Sequence, residues 1–199
     1  MNEIAAVVFS LILIGGCKQD SIIPVDQSNS YLPLAIGNSW IYEFVTNEPS
    51  GTEMMSVKSA QISGIVYKDG KRYFRLDGFL FSPDTGSYLI REDEKGNVFS
   101  LSGDSENLMF QFSSPTGTVW KTIGRSRDTL DLFVSSRQDS VVTPLGTFRN
   151  CITIRPYPPG VYHTIGFALT FAEGVGLVAS SSWAEIYYRN TTLKSYSFK

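Results

Sequence analysis

Residues that bind transition metals are scarce in this sequence. Its 199 residues include one histidine, His163, and two cysteines, Cys17 and Cys151. Zinc and haem sites need several such ligands at one point, and the alternating aspartates of a calcium loop do not occur either. His163 follows Pro158-Pro159-Gly160, so we expect it in a solvated loop. The composition therefore indicates neither a metal site nor a cofactor.

Clusters of basic residues are also missing. Lys and Arg number 17 against 19 Asp and Glu, which gives a formal net charge of -2, and charged residues make up only 18% of the chain. Surfaces that bind nucleic acid rely on clustered Lys and Arg. We therefore do not expect a nucleic acid partner.

Recognised catalytic motifs are absent. The sequence contains neither a Gly-x-Ser-x-Gly elbow nor a glycine loop that would hold phosphate. Gly103-Asp104-Ser105 is similar to the nucleophile block of one esterase family, but that family has an aspartate three residues before its histidine, where this chain has Gly160. A β-turn explains the triplet better. The sequence thus names no catalytic residue, although carboxylates that are distant along the chain can still converge as glycosidases require.

A helical period is missing as well, whereas aromatic residues reach 13%. Residues 165–172 are the best helical candidate, and Gly166 and Gly174 argue against a helix even there. Turn sequences rich in Gly, Pro, Asn and Asp separate short β-branched and aromatic runs, which is typical of hairpins. We predict a mainly β, antiparallel single domain with a strongly curved sheet, a half-barrel or a barrel-like shape. The expected strands are residues 39–46, 52–62, 72–81, 87–93, 98–101, 108–113, 118–123, 130–136, 151–157, 177–182, 184–188 and 193–198.

The N-terminus begins with a short apolar segment. Residues 4–14 are apolar except for Ser10, and as a helix they would reach about 17 Å, short of the roughly 30 Å needed to span a membrane. Such a run followed by small residues is typical of a secretory signal. Unlike most signals it is preceded by Glu3 and by no Lys or Arg, which puts the position of the start codon in question.

Ile14-Gly15-Gly16-Cys17 closes this segment and resembles the lipobox of bacterial lipoproteins. The resemblance implies that residues 1–16 are removed, that Cys17 carries acyl chains such as palmitate, and that the protein is held to the cell envelope. Residues 17–30 then comprise the lipidated cysteine and a polar tether, and residues 31–199 form the domain. Lys18, where an inner-membrane retention signal would have Asp, favours the outer membrane. With Cys17 acylated, Cys151 has no disulfide partner, and we expect it buried in a strand.

Two further segments resemble bacterial envelope lipoproteins of uncharacterised activity. One is Pro33-Leu34 followed by Gly37-Asn38-Ser39-Trp40-Ile41-Tyr42, which opens the first strand in that group. The other combines Gly146-Thr147-Phe148-Arg149-Asn150-Cys151 with Glu173-Gly174-Val175-Gly176-Leu177-Val178. The resemblance implies a β-rich envelope lipoprotein without naming an activity. Trp40 and Phe148 are expected in the core.

A candidate binding surface lies near the C-terminus. In a strand over residues 184–188 that includes its neighbour Trp183, the side chains of Trp183, Glu185 and Tyr187 would share one face. Two aromatic rings around a carboxylate suit a glycan, although packing against neighbouring strands is the alternative role. We expect a membrane-anchored envelope lipoprotein that acts as a binding or structural module. A carboxylate-based surface hydrolase directed at glycans and a carrier of an apolar small molecule are the alternatives.

Overall fold

The computed structural model describes residues 30–48, 50–79, 86–123, 129–157, 165–184 and 187–199. These residues form strands, turns and loops, without a helix among them. Within the same residues, no helix has the length and apolar character to cross a membrane. Twelve strands are defined in this part of the chain: β1 (Ser39–Asn47), β2 (Glu53–Lys68), β3 (Lys71–Gly78), β4 (Gly86–Glu92), β5 (Asn97–Ser102), β6 (Ser105–Gln111), β7 (Val119–Ile123), β8 (Thr129–Thr143), β9 (Gly146–Pro156), β10 (Ile165–Ala172), β11 (Gly176–Ala184) and β12 (Tyr187–Ser197).

All twelve strands belong to one antiparallel sheet that curls into a nearly closed barrel. Each strand pairs with the next along the chain, and β12 returns to pair with β1, so the first and last strands lie side by side. The exception is β6 and β7, which form the two edges of the sheet. The predicted mainly β, antiparallel and strongly curved fold is confirmed. Residues 165–172, the best helical candidate, form strand β10, which the list of expected strands did not include.

The interior of the sheet is packed with side chains. In β1 the side chains of Trp40, Tyr42 and Phe44 are buried in alternation with residues that point outward. Rings that are distant along the chain meet there, with Phe112 and Phe171 at 4.9 Å between ring centroids. Burying one such side chain contributes about 1.5–3 kcal/mol. The interior is therefore a hydrophobic core, and the residues expected to anchor it, Trp40 and Phe148, both lie in it.

Side chains close the seam between β6 and β7. The carboxamide of Asn107 accepts a hydrogen bond from the Ile123 backbone N–H at 2.9 Å. Its nitrogen lies 3.3 Å from both the Ile123 carbonyl oxygen and the Thr122 hydroxyl. Close by, the Trp120 indole nitrogen donates to the Met109 carbonyl at 3.1 Å. The Asn107 side chain thus hydrogen-bonds backbone groups of β7 that a neighbouring strand would otherwise bind.

Candidate functional site

Two of the segments that carry the sequence resemblance meet in space. The Trp40 indole nitrogen donates a hydrogen bond to the Val175 carbonyl at 2.7 Å, which joins the start of β1 to the turn between β10 and β11. Gly176 follows as the first residue of β11 with φ +103, and a Cβ there would lie 3.3 Å from the Trp40 indole nitrogen. The glycine is needed for both its backbone conformation and this close approach.

Residues 30–38 lead into β1 and are held firmly against the domain. The Gly174 backbone N–H donates to the Ser30 carbonyl at 2.7 Å, and Leu32 is fully buried. The Asn38 side chain donates to the Pro33 carbonyl at 2.9 Å and accepts from the Lys199 backbone N–H at 3.2 Å. These bonds fix the point at which the chain enters the domain.

An open cleft of about 620 Å³ lies at this entry point. Its walls come from the entry segment, from β3, from the turn between β4 and β5, from the β10–β11 turn and from the last two residues. The lining residues are Ser30, Pro33, Leu34, Ala35, Asn38, Arg72, Phe74, Glu92, Asp93, Glu94, Gly174, Phe198 and Lys199. Its volume falls in the usual range of ligand sites, about 300–1,000 Å³.

Both signs of charge occur in the cleft. The Arg72 guanidinium lies 5.1 Å from the centre of the Phe74 ring, where it gains from the negative face of the ring. Burial raises the pKa of Glu92, although the Ser30 hydroxyl donates to its carboxylate at 2.5 Å. Lys199 carries the second cation, and its aliphatic chain passes over Gly37, where a Cβ would lie 2.6 Å away.

Asp93 serves the β4–β5 turn. Its carboxylate accepts hydrogen bonds from the backbone N–H groups of Lys95 at 2.9 Å and Asn97 at 2.8 Å. Burial alone would raise the pKa of Asp93, but the hydrogen bonds from Asn97 and Lys95 outweigh it and leave the pKa lowered. Glu92 and the exposed Glu94 are therefore the acids of this turn that a ligand in the cleft can pair with.

The predicted Trp183 site takes a different form from the one expected. Residues 184–188 are not one strand: β11 ends at Ala184, β12 begins at Tyr187, and these two residues pair across a hairpin. Trp183 is opposite Tyr188, so Trp183 and Tyr187 belong to opposite faces of the hairpin. Glu185 lies outside the described residues.

A second depression of about 310 Å³ nevertheless borders both Trp183 and Tyr187 at the end of this hairpin. Phe167, Ser182 and Arg189 also line it. The indole ring of Trp183 lies over Gly166, where a Cβ would be 2.5 Å from the ring. Any larger residue at position 166 would therefore clash with the Trp183 ring.

The carboxylate of Glu106 is fully engaged on the outer face of the sheet. It accepts hydrogen bonds from Arg91, from Lys71 at 2.5 Å and from the Tyr73 hydroxyl at 2.6 Å. The hydrogen bond from Arg91 is the main cause that lowers the pKa of Glu106 to about 2. A carboxyl group with so low a pKa cannot act as a general acid near neutral pH.

The remaining candidates have ordinary structural positions. Gly103 and Asp104 form the β5–β6 turn, as predicted. Cys151 is fully buried in β9, and burial, followed by the charge of Asp139, raises the pKa of its thiol to about 11. Cys17 and His163 lie outside the described residues. Among the residues that the structure describes, no three His, Cys, Asp or Glu side chains form a group that could hold a metal ion.

Comparison with known proteins shows the fold alone. No protein-family model and no curated protein matches the sequence. A solved "putative lipoprotein" from Parabacteroides distasonis is similar at 16% identity and a TM-score of 0.50, over 85% of this chain and 99% of that one. A "putative exported protein with YmcC-like fold" from Bacteroides fragilis is similar at 12% identity and a TM-score of 0.51, over 85% of this chain and 100% of that one.

Proposed function

We propose that this protein is a bacterial envelope lipoprotein, acylated at Cys17, whose β domain acts as a binding module. We further propose that it is anchored in the outer membrane. The observation that carries the binding role is that the sheet interior is a packed aromatic core, while both described depressions open to solvent. A ligand would therefore bind at the surface of the domain and not inside the sheet. The two structural neighbours, described as a "putative lipoprotein" and a "putative exported protein", support a location in the envelope.

The same observations favour this role over the two alternatives. A carrier of an apolar ligand needs an enclosed cavity, and here Phe110, Phe112 and Phe171 pack against one another in the core. A carboxylate hydrolase needs two acids free for chemistry, whereas Glu106 is held by three donors and Asp93 by its turn. These two acids therefore serve structure.

A glycan is the ligand that we assign to the depression at the β11–β12 hairpin. Trp183 and Tyr187 offer apolar ring surface, and Tyr187 is 43% exposed. Arg189 donates from Nε to the Thr46 hydroxyl at 3.3 Å, and its guanidinium carries further N–H donors that suit sugar hydroxyls. Glu185, which lies outside the described residues, remains part of this proposal.

Metabolic labelling tests the anchor. The full-length chain, expressed in a Gram-negative host with a palmitate analogue, should incorporate the label and fractionate with outer membranes. The Cys17→Ser variant should lose the label because it lacks the acyl acceptor, whereas Cys151→Ser should keep it. Absence of label from the wild-type protein would refute the lipoprotein assignment.

Affinity electrophoresis tests the glycan site. Soluble xyloglucan, laminarin and hydroxyethylcellulose are cast into native gels, and at least one should retard the protein. Trp183→Ala and Tyr187→Ala should each lose most of that retardation, since aromatic stacking is lost. Val142→Ala, which removes a side chain that is 78% exposed elsewhere, is the matched control. If none of these polysaccharides retards the wild-type protein, the glycan assignment fails.

A further inference from the structure

The cleft lies where the chain enters the domain, after the segment that carries the proposed membrane anchor. Ser30 lines the cleft and is fixed there by Gly174 and Glu92. Cys17 lies thirteen residues before Ser30, which is a span of at most about 45 Å even for a fully extended chain. An acylated Cys17 would therefore keep the cleft within about 45 Å of the bilayer and allow it to reach the lipid surface.

The charges of the cleft form two opposite sets. Arg72 and Lys199 provide cations, and both are exposed. Glu92 and Glu94 provide anions, and the Glu92 carboxylate is partly buried with the Ser30 hydroxyl as its donor. Arg72 is placed over the Phe74 ring, and none of the ion pairs among the described residues joins it to these acids. A ligand that satisfies both sets must itself carry an anion and a cation.

We propose that the cleft binds the headgroup of a phosphatidylethanolamine molecule in the membrane that holds the anchor. Its phosphate would accept hydrogen bonds from Arg72 and Lys199, and its primary ammonium would donate to Glu92 and Glu94. The inference rests on the proposed acylation of Cys17, which brings the cleft to the lipid surface.

Two other common headgroups fit less well. Phosphatidylcholine carries the same phosphate, but its quaternary ammonium has no N–H to donate to a carboxylate. Phosphatidylglycerol has no cation, so its phosphate would face the partly buried Glu92 without compensation. The cleft thus selects for the ammonium group, and Glu92 is the residue on which that selection depends most.

Hydrogen exchange of the reconstituted protein tests this. Full-length acylated protein, with its acyl chains verified by intact mass spectrometry, is placed in nanodiscs of phosphatidylcholine alone or mixed with phosphatidylethanolamine. Exchange in residues 30–38 and 92–97 should slow by about tenfold with phosphatidylethanolamine, which corresponds to about 1.4 kcal/mol of binding. Arg72→Ala, Glu92→Gln and Glu94→Gln should abolish this slowing. Lys121→Ala, which removes an exposed cation outside the cleft, should keep it.

The possible outcomes separate a failure of the cleft from a failure of the anchor, and a lipid ligand from a free one. Equal exchange in both kinds of nanodisc, or full slowing in all three cleft variants, overturns the inference and leaves the anchor intact. Full slowing by soluble phosphoethanolamine in phosphatidylcholine nanodiscs assigns the cleft to a free ligand and also overturns it. Missing acyl chains in the mass spectrum would instead refute the proposed function itself.

Discussion

Two buried tyrosines in this domain differ in what their hydroxyl groups contact. The Tyr42 ring lies in the core 5.8 Å from that of Phe79, and no described residue hydrogen-bonds its buried hydroxyl. Burial raises the pKa of Tyr42 well above its usual value. Tyr73 is 2% exposed on the opposite side of the sheet, but its hydroxyl donates to Glu106. The tyrosine hydroxyl thus lowers the stability of the fold at position 42 and raises it at position 73.

We expect the two Tyr→Phe substitutions to have opposite effects on stability. Tyr42→Phe should raise the free energy of unfolding by about 1 kcal/mol, because it removes a buried polar group without a partner. Tyr73→Phe should lower it by about 1.5 kcal/mol, because a hydrogen bond to a charged carboxylate is lost. Urea denaturation followed by tryptophan fluorescence gives both values. Equal destabilisation by the two variants would show that the Tyr42 hydroxyl has a partner.

The sequence predicted several single positions correctly. Trp40, Phe148 and Cys151 are all buried, because large apolar residues and an unpaired thiol in strands rarely find a better place than the core. The cleft residues could not be predicted. Arg72, Glu92 and Lys199 are far apart in the chain, and each alone is typical of a solvated surface. They come together only in the folded sheet, in which β12 pairs with β1.

At the level of the strands, turn signals located most elements but not their lengths. The run at residues 52–62 is the beginning of β2, which continues to Lys68 after a bulge between Ile62 and Gly64. In the same way, β8 extends to Thr143 through three irregularities in its pairing with β9. A bulge shifts the alternation of inward and outward residues. A strand predicted from strict alternation therefore ends too early. The end of β11 at Ala184 and the start of β12 at Tyr187 were not predicted, because the two residues between them, Glu and Ile, are not typical turn residues.

The β6–β7 seam gives a prediction for Asn107. Asn107→Ala removes the carboxamide that satisfies the Ile123 backbone, so the amide hydrogen of Ile123 should exchange faster and the free energy of unfolding should fall by about 1–2 kcal/mol. Hydrogen exchange resolved at β7, together with urea denaturation, measures both effects. Asn190→Ala changes an exposed asparagine inside the paired sheet, on β12, and should alter neither. Unchanged exchange at Ile123 would mean that Asn107 does not hold the seam.

For the whole molecule, the fold class could be predicted from the sequence, whereas the position of the opening in the sheet could not. Short runs, frequent turns and a missing helical period leave an antiparallel sheet that must hide one face, and curling achieves this. Nothing local specifies that the opening falls between β6 and β7 and not between the chain ends. That choice depends on contacts at long range, such as the bond from Trp40 to Val175.

The entry segment gives a prediction for the extent of the domain. A chain that begins at Ser30 keeps the buried Leu32, the Tyr31 ring at 5.3 Å from Phe112, and Asn38 with its bonds to Pro33 and Lys199. A chain that begins at Ser39 loses them all. Loss of one buried leucine alone costs about 2–5 kcal/mol, a large part of a typical total of about 5–15 kcal/mol.

We therefore expect the chain from Ser30 to unfold at the same temperature as the mature protein, and the chain from Ser39 to be largely unfolded at room temperature. Circular dichroism melting and limited proteolysis of the three chains, each produced without acyl chains, measure this. Equal melting of the two shortened chains would place the domain boundary after Asn38 and would separate the cleft from the folded core. A melting temperature for the chain from Ser30 clearly below that of the mature protein would instead extend the domain into residues 17–29.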